Sequence, residues 1–172
     1  MNILAPACFV LLAVLIIGGF TISGKSKNPK TETDRKVDAY DQPERYEGTK
    51  GKEVALESGA VAIDVSGFDD NKARHYNVKI SDKTVYFFVV KDRNGTYRAA
   101  ANECQVCYAV KKGFRQEGNE MVCNNCGNGY PIERIATEKG GCNPAPIDPD
   151  LQAVDGKVAI AEDSLREVLA FF

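Results

Sequence analysis

The pattern of apolar and polar residues divides the chain into three stretches of different character. Residues 3–22 form an uncharged and almost wholly apolar run of twenty residues, which is long enough to cross a bilayer as one helix. Residues 24–52 carry eight basic and six acidic residues and few apolar ones, so they cannot bury enough surface to offset the entropy of ordering. We therefore predict a membrane anchor at 1–23, a flexible tether at 24–52 and a folded domain at 53–172.

Short runs with a two-residue period begin within the predicted domain. Residues 73–80 alternate apolar and polar side chains, as a half-buried strand does. Residues 84–90 are continuously apolar, β-branched or aromatic, which is typical of a central strand covered on both faces. A turn signal at 92–95 then returns the chain. This pattern predicts a mainly β fold, α+β at most, built on a small antiparallel β-meander.

The C-terminal part of the domain predicts a hairpin and a closing helix. Residues 151–160 have the character of strands, with a turn signal at Asp155 and Gly156. Asp163 or Ser164 can then cap a short helix that carries the last apolar side chains of the chain.

The residues that flank the apolar run favour an anchor that is not cleaved. No Lys or Arg precedes the run, and it is longer than the apolar core of a signal peptide. Five basic residues follow between residues 25 and 36, so the positive-inside rule alone places the folded domain in the cytoplasm.

Five of the six cysteines lie in one segment, residues 104–142. Cys104 and Cys107 form one Cys-x-x-Cys pair, and Cys123 and Cys126 form a second after fifteen intervening residues. Two residues between cysteines let a tight turn aim both sulfurs at one point about 2.3 Å away, and two such pairs are typical of a four-thiolate metal site. The segment predicts a rubredoxin-like or zinc-ribbon-like knuckle site at the end of the meander.

Neighbouring residues add to the predicted knuckle site. Gly127 can take positive φ and so help the turn point its N–H groups at the sulfurs. A positive φ is expected at Gly129 for the same reason. Cys142 lies in a Gly-Gly-Cys-Asn-Pro loop. That loop could place a fifth thiol near the centre as a ligand, a substitute ligand or a redox partner; the alternative is a buried free thiol.

Two other interpretations of the cysteines stay open. A disulfide framework suits an extracytoplasmic chain, although five clustered cysteines leave one thiol over. A thioredoxin-like redox pair sits at a helix N-terminus. The eleven residues that follow Cys107 show no helical apolar period and include two glycines, which argues against that context.

Charge and histidine content restrict the function further. The net charge is −2 and the pI about 5.5, so there is no basic footprint for nucleic acid. His75 is the single histidine; we expect it to be exposed on a polar strand face, with an extra metal ligand as the alternative. Asp69 and Asp70 are expected to form a solvated turn, with an iron-docking pair as the alternative. No catalytic residue is predicted.

Several segments together resemble one known family. They read TVYFFVVK at 84–91, DRNGTYRAA at 92–100, ECQVCY at 103–108, KKGFRQEG at 111–118, MVCNNCG at 121–127 and GGCNPAPI at 140–147. In these motifs the chain resembles the FtrD-like membrane iron–sulfur proteins, a family associated with iron uptake. The resemblance runs from about residue 73 to residue 147.

The resemblance implies a cofactor and a setting. The cofactor is an iron–sulfur cluster bound by the four paired cysteines with the fifth thiol beside them, Cys104, Cys107, Cys123, Cys126 and Cys142. The implied setting is an extracytoplasmic domain that exchanges electrons with a membrane iron permease or membrane redox partner. Members of the family often have several membrane helices, whereas the apolar run predicts a single-pass protein anchored in the bilayer through residues 3–22. We expect Tyr108, Phe114 and Tyr130 to shield the centre, and a non-catalytic electron carrier rather than an enzyme.

The residues alone leave the metal open. Neither common ferredoxin cysteine spacing occurs in the chain, and Zn²⁺ in a closed four-cysteine ribbon fits the two pairs equally well. A structural zinc-ribbon module that binds a membrane partner is therefore one alternative function. A thiol–disulfide oxidoreductase is the other.

Overall fold

The computed structural model describes residues 46–172. The predicted anchor at 1–23 and the predicted tether as far as residue 45 lie outside the described residues. Within residues 46–172, no helix combines the length and the apolar character that crossing a bilayer requires.

The described residues form eleven short strands, one α-helix and three 3-10 helices. The strands are β1 Lys52–Glu53, β2 Ala60–Asp64, β3 Arg74–Ile80, β4 Lys83–Lys91, β5 Tyr97–Cys104, β6 Phe114–Glu117, β7 Glu120–Cys123, β8 Gly129–Pro131, β9 Pro144–Asp148, β10 Ala153–Val154 and β11 Lys157–Ala161. The helix α1 is Glu162–Glu167, and the 3-10 helices are Tyr108–Val110, Ile132–Arg134 and Leu169–Phe171.

The strands are arranged in three sheets. The largest has five strands in the order β1-β3-β4-β5-β9, and two three-stranded sheets have the orders β10-β11-β2 and β6-β7-β8. All neighbours are antiparallel except β1 and β3, which are parallel. The prediction of a mainly β, antiparallel domain is confirmed. The predicted meander corresponds to β3-β4-β5, and the architecture is larger than a meander because two small sheets pack around it.

Strand β4 is the centre of the five-stranded sheet, as its continuous apolar run predicts. Because neighbouring side chains of a strand point to opposite faces, Phe87 and Phe88 enter two different hydrophobic clusters, and both are fully buried. The first cluster lies between the central sheet, the sheet of β2 and β11, and α1. The second contains Cys104 and Cys123. One strand thus supports both the structural core and the cysteine-rich side of the domain.

The C-terminal hairpin is present as predicted, but the predicted helix cap is wrong. Strands β10 and β11 are joined through Asp155 and Gly156, which both have positive φ. Helix α1 begins at Glu162, directly after β11, with Ala161 as the N-cap residue and no side-chain cap hydrogen bond. The Glu162 N–H instead donates to the Gly59 carbonyl at 2.8 Å. Glu162 and Asp163 lie in the first turn, where acidic groups interact favourably with the helix dipole.

Candidate metal centre

The cysteines are brought together by the ends of strands from two different sheets. Cys104 is the last residue of β5 and Cys123 is the last residue of β7. Cys142 lies just before β9, which pairs with β5 through Cys104 and Pro144. The sheets are joined at this point because the Phe114 N–H at the start of β6 donates to Asn102 Oδ1 at 2.8 Å. Rigid strands therefore position both Cys-x-x-Cys turns and the fifth thiol.

The five sulfurs fall into two groups that share Cys107. In one group the sulfurs of Cys104, Cys107 and Cys142 all lie within 4.8 Å of one another, and in the other the same is true of Cys107, Cys123 and Cys126. Thiolates bound tetrahedrally to a common ion at 2.3 Å would lie about 3.8 Å apart. The spacing in each group is therefore compatible with thiols that share metal, and Cys142 lies beside the first pair.

Both Cys-x-x-Cys turns aim backbone N–H groups at their first sulfur. The Cys104 sulfur faces the N–H groups of Val106 and Cys107, and the Cys123 sulfur faces those of Asn125 and Cys126. The Asn128 N–H points at the sulfur of Cys126. Such N–H groups stabilise anionic sulfur and tune metal–thiolate centres. With no carboxylate in either group, the donor set fits a metal–thiolate centre.

The two glycines near the second pair have different roles. Gly127 has φ +74° and its N–H donates to the Cys123 carbonyl at 2.9 Å, which confirms the predicted positive-φ turn. Gly129 is not among the residues with positive φ, and the prediction for it is wrong. A Cβ at Gly129 would lie 2.4 Å from a carboxylate oxygen of Glu120. Gly129 therefore leaves room for the Glu120 carboxylate, but it is not strictly required, because the exposed Glu120 side chain can shift.

Gln105, between the cysteines of the first pair, is hydrogen-bonded to the loop that carries Cys142. Its backbone N–H donates to the Asn143 carbonyl at 3.2 Å, and its side-chain amide donates to Asn143 Oδ1 at 2.5 Å. Its side-chain oxygen accepts the Gly140 N–H at 2.9 Å. Asn143 is buried, and its side-chain amide also donates to the Glu138 carbonyl. These contacts place the fifth thiol against the first pair.

The thiols differ in exposure and in acidity. Cys104 and Cys123 are buried, Cys107 and Cys142 are half-buried, and Cys126 is exposed. Burial raises the pKa of the Cys104 thiol to about 12 and also raises the pKa of Cys123 and Cys142. The Asn128 N–H lowers the pKa of the Cys126 thiol. Metal binding must displace protons from the buried thiols, while Cys126 gives the centre one solvent-facing edge.

Apolar side chains cover the opposite side of the cysteines. Phe114 is fully buried and Tyr130 nearly so, and both belong to the hydrophobic cluster that includes Cys104 and Cys123. Tyr108 is 39% exposed and contacts Phe171 edge-on at 5.5 Å between ring centroids. The predicted shield therefore consists of Phe114 and Tyr130, and Tyr108 lies on the surface.

A buried carboxyl group adjoins the first cysteine. Glu103 is 1% exposed and its Oε1 atom has no hydrogen-bond partner. Burial raises the pKa of Glu103 to about 8, although the Lys111 ammonium and nearby backbone N–H groups oppose this effect. The motif pattern predicted no role for Glu103, Gln105 or Asn143. Their one sequence signal is that each polar residue directly adjoins a cysteine of the motif.

The remaining candidates lie apart from the two thiol groups. His75 was expected to be exposed, and this is wrong: it is half-buried, its ring centroid lies 5.9 Å from that of Phe88, and its Nε2 is buried without a partner. Asp69 and Asp70 form the expected exposed turn and pair with Lys91 and Arg74.

The structural context bears on the alternative cysteine chemistries. Cys107 is followed by the 3-10 helix Tyr108–Val110, which ends at Lys111 in the left-handed conformation, so the pair does not open an α-helix as a thioredoxin-like pair does. All five cysteines of the described region are free thiols.

Comparison with known proteins identifies one family. A family model described as "Membrane iron-sulfur containing protein FtrD-like" matches residues 68–172, which is more than half of the chain and includes all five clustered cysteines. No curated protein matches the chain.

Proposed function

Since the chain belongs to the FtrD-like family of membrane iron–sulfur containing proteins, we propose that it is a membrane-anchored electron carrier that serves iron uptake through a metal–thiolate centre. One observation carries the proposal: five thiols from two knuckles and one loop converge in two groups that share Cys107. Cys104, Cys107, Cys123 and Cys126 are the proposed ligands, with Cys142 as an additional thiol of the site.

The residues around the thiols suit an electron carrier. A bound iron–sulfur cluster supplies one-electron redox chemistry. The N–H groups of both turns stabilise the added negative charge on the sulfurs, and Phe114 and Tyr130 exclude water from one side. Cys126, the exposed thiol, leaves a short path to an approaching redox partner. A centre that is covered on one side and exposed at one edge supports electron transfer to a partner rather than storage of metal.

The proposed setting extends to the membrane. Residues 3–22 anchor the chain as a single pass, the domain is extracytoplasmic, and the partner is a membrane iron permease or a membrane redox protein. The basic residues after the apolar run favour the opposite orientation. A reporter fused to Phe172 separates the two topologies, because its activity differs on the two sides of the membrane.

Metal analysis and visible absorption of anaerobically purified protein test the cofactor. The proposal expects iron and sulfide, with visible absorption that bleaches on reduction. Colourless protein that contains one zinc per chain would refute the iron–sulfur proposal.

A structural zinc ribbon is the second candidate, since two knuckles that converge from the ends of β5 and β7 also suit a closed four-cysteine zinc site. In that case metal-binding free energy stabilises the fold and the protein shows no redox response. A Cys123→Ser variant would then lose folded structure without any change of colour.

A thiol–disulfide oxidoreductase is the third candidate, because Cys126 is an exposed thiol whose pKa is lowered. Rapid alkylation of Cys126 alone in native protein would support it. Complete protection of Cys126 by metal would exclude it.

A further inference from the structure

The segment from Val106 to Val110, which begins inside the first cysteine pair, presents an exposed apolar surface. In residues 46–172 four large hydrophobic side chains are exposed, and three of them, Val106 at 59%, Tyr108 at 39% and Val110 at 43%, lie in this one segment. We call these three residues the knuckle patch. The fourth, Val154, lies in the β10–β11 hairpin. Three exposed apolar side chains within five residues indicate a contact surface.

The backbone holds the knuckle patch in a fixed shape. The Val110 N–H donates to the Cys107 carbonyl, and the Lys111 N–H donates to the Tyr108 carbonyl, both at 3.1 Å. The Tyr108 ring contacts Phe171, and the Lys111 ammonium donates to the Phe171 carbonyl at 2.6 Å. The patch is therefore supported from below while its side chains face outward.

The two sequence segments that carry the cysteine pairs lack acidic residues, although the exposed Glu47 lies next to Lys111. Residues 104–116 contain three basic residues and no acidic one, and residues 121–132 contain no charged residue, although the whole chain has 24 acidic residues among 172. Lys112 is exposed beside the patch, and Lys111 is half-buried. An apolar patch with lysines at its rim and no acidic residue in the segment is complementary to an anionic, amphipathic surface.

The described chain enters the domain next to the knuckle patch. Tyr46 stacks on Tyr86 at 3.9 Å between ring centroids and contacts Phe172 edge-on at 6.2 Å. The Glu47 N–H donates to the Lys111 carbonyl at 2.8 Å. The connection from the apolar run at 3–22 therefore reaches the domain on this side. Only 23 residues, 23–45, separate the apolar run from Tyr46, so this side of the domain is the one nearest to the run along the chain.

We propose that the knuckle patch rests on the lipid bilayer, with Tyr108 and the two valines at the level of the lipid headgroups and Lys112 facing anionic lipids. Tyrosine is favoured at this depth because its ring is apolar and its hydroxyl is polar. Lysines next to inserted apolar residues add attraction to anionic lipids. The contact would hold the exposed Cys126 edge close to redox partners embedded in the same membrane. The proposal does not depend on which metal the thiols bind.

The absence of tryptophan from the chain permits a direct test. The full chain with Tyr108→Trp is reconstituted into vesicles of phosphatidylcholine and phosphatidylglycerol, with and without brominated acyl chains. The matched control is Val154→Trp, which places the same probe at the remaining exposed hydrophobic position. Comparison with the non-brominated vesicles corrects for quenching by the metal centre, and metal content confirms that each variant is folded.

We expect bromine to remove most of the tryptophan emission of the Tyr108→Trp variant and to leave that of the Val154→Trp variant unchanged. Adding Lys112→Glu to the Tyr108→Trp variant should reduce the quenching in anionic vesicles, whereas adding Lys79→Glu, at an exposed position on β3, should not. Equal quenching at positions 108 and 154 would overturn the proposal. If both were unquenched, a protein would become the candidate occupant of the patch. If the protein bound no metal but the tryptophan at position 108 were still quenched, the membrane contact would stand and only the proposed electron-carrier function would be contradicted.

Discussion

The side-chain amide of Gln105 donates to the side-chain oxygen of Asn143 at 2.5 Å. This bond joins the middle of the first cysteine pair to the residue after Cys142. Asn143 is 2% exposed and Gln105 is half-buried, so losing Gln105 would leave the buried Asn143 oxygen unpaired. The fifth thiol is thus positioned by a polar contact in addition to the backbone pairing of β5 with β9.

We predict that Gln105→Ala releases the Cys142 loop. The change removes two side-chain hydrogen bonds, to Asn143 and from Gly140, at a cost of about 1–2 kcal/mol. Alkylation of Cys142 in metal-loaded protein should become faster by about five- to thirtyfold, as followed by mass spectrometry. Gln152→Ala, at an exposed position, is the control. An unchanged rate at Cys142 would show that the contact does not position the loop.

Asn102 should stabilise the junction between the two cysteine-bearing sheets. It is fully buried, its side chain accepts the Phe114 N–H at 2.8 Å, and its amide donates to the Thr49 carbonyl at 3.1 Å. We expect Asn102→Ala to lower the free energy of unfolding by about 2 kcal/mol and to weaken metal binding, measured by denaturation and competitive chelation. Asn94→Ala in the exposed turn should change neither quantity, and an equal effect of the two variants would contradict this assignment.

His75 should make the stability of the domain depend on pH. Burial lowers its pKa from the unperturbed value of 6.5, so below that pH the unfolded state binds the proton more strongly than the folded state. The His75 contribution is therefore complete above pH 6.5 and is lost as the pH falls towards the folded-state pKa. Urea denaturation of wild type and His75→Gln between pH 7.5 and 5 measures the free energy of unfolding. The expected loss in wild type is about 1.4 kcal/mol for each unit by which the folded-state pKa lies below the unfolded-state pKa.

Because His75 is the single histidine of the chain, no other imidazole can contribute to the slope of the free energy of unfolding against pH. This slope should be smaller in His75→Gln than in wild type. Identical slopes in both proteins would show that the ring is solvated in the folded state.

Metal removal should loosen one hydrophobic cluster and spare the other. Cys104 and Cys123 belong to the cluster with Phe88 and Phe114, whereas the cluster with Phe87 contains no cysteine. Anaerobic chelation should accelerate amide exchange in β6–β8 by at least about tenfold, since metal binding contributes folding free energy. Exchange in β2 and β11 should change much less. Uniform acceleration throughout residues 46–172 would mean that the two clusters unfold as one unit.

The sequence predicts the elements whose signals are local. A run of six apolar residues, 85–90, specifies the central strand. The spacing of the cysteines, with glycine after the second pair, specifies the knuckle turns. The parallel pairing of β1 with β3 has no such signal, because a two-residue strand of Lys52 and Glu53 joins the sheet through backbone contacts alone. The pairing becomes evident only in three dimensions.

The misjudged residues share one physical cause. Tertiary packing buries Glu103 and half-buries His75, although each would ordinarily be assigned to the surface. Gln105 and Asn143 meet across 38 positions of sequence, a separation that no local periodicity encodes. A position next to a cysteine of the motif indicates that a polar residue can contribute to the site, but it does not identify that residue's hydrogen-bond partner.

The alternation of side chains along β4 connects the cluster that contains Cys104 and Cys123 with the cluster that packs against α1. A one-residue insertion between residues 84 and 87 would send Phe87 towards the thiols and Phe88 towards the helix, exchanging the contents of both interiors at once. The cysteine knuckles therefore depend on β4 and do not form an independent unit. A substitution on β4 that improves packing in one cluster is acceptable only if it also preserves packing in the other.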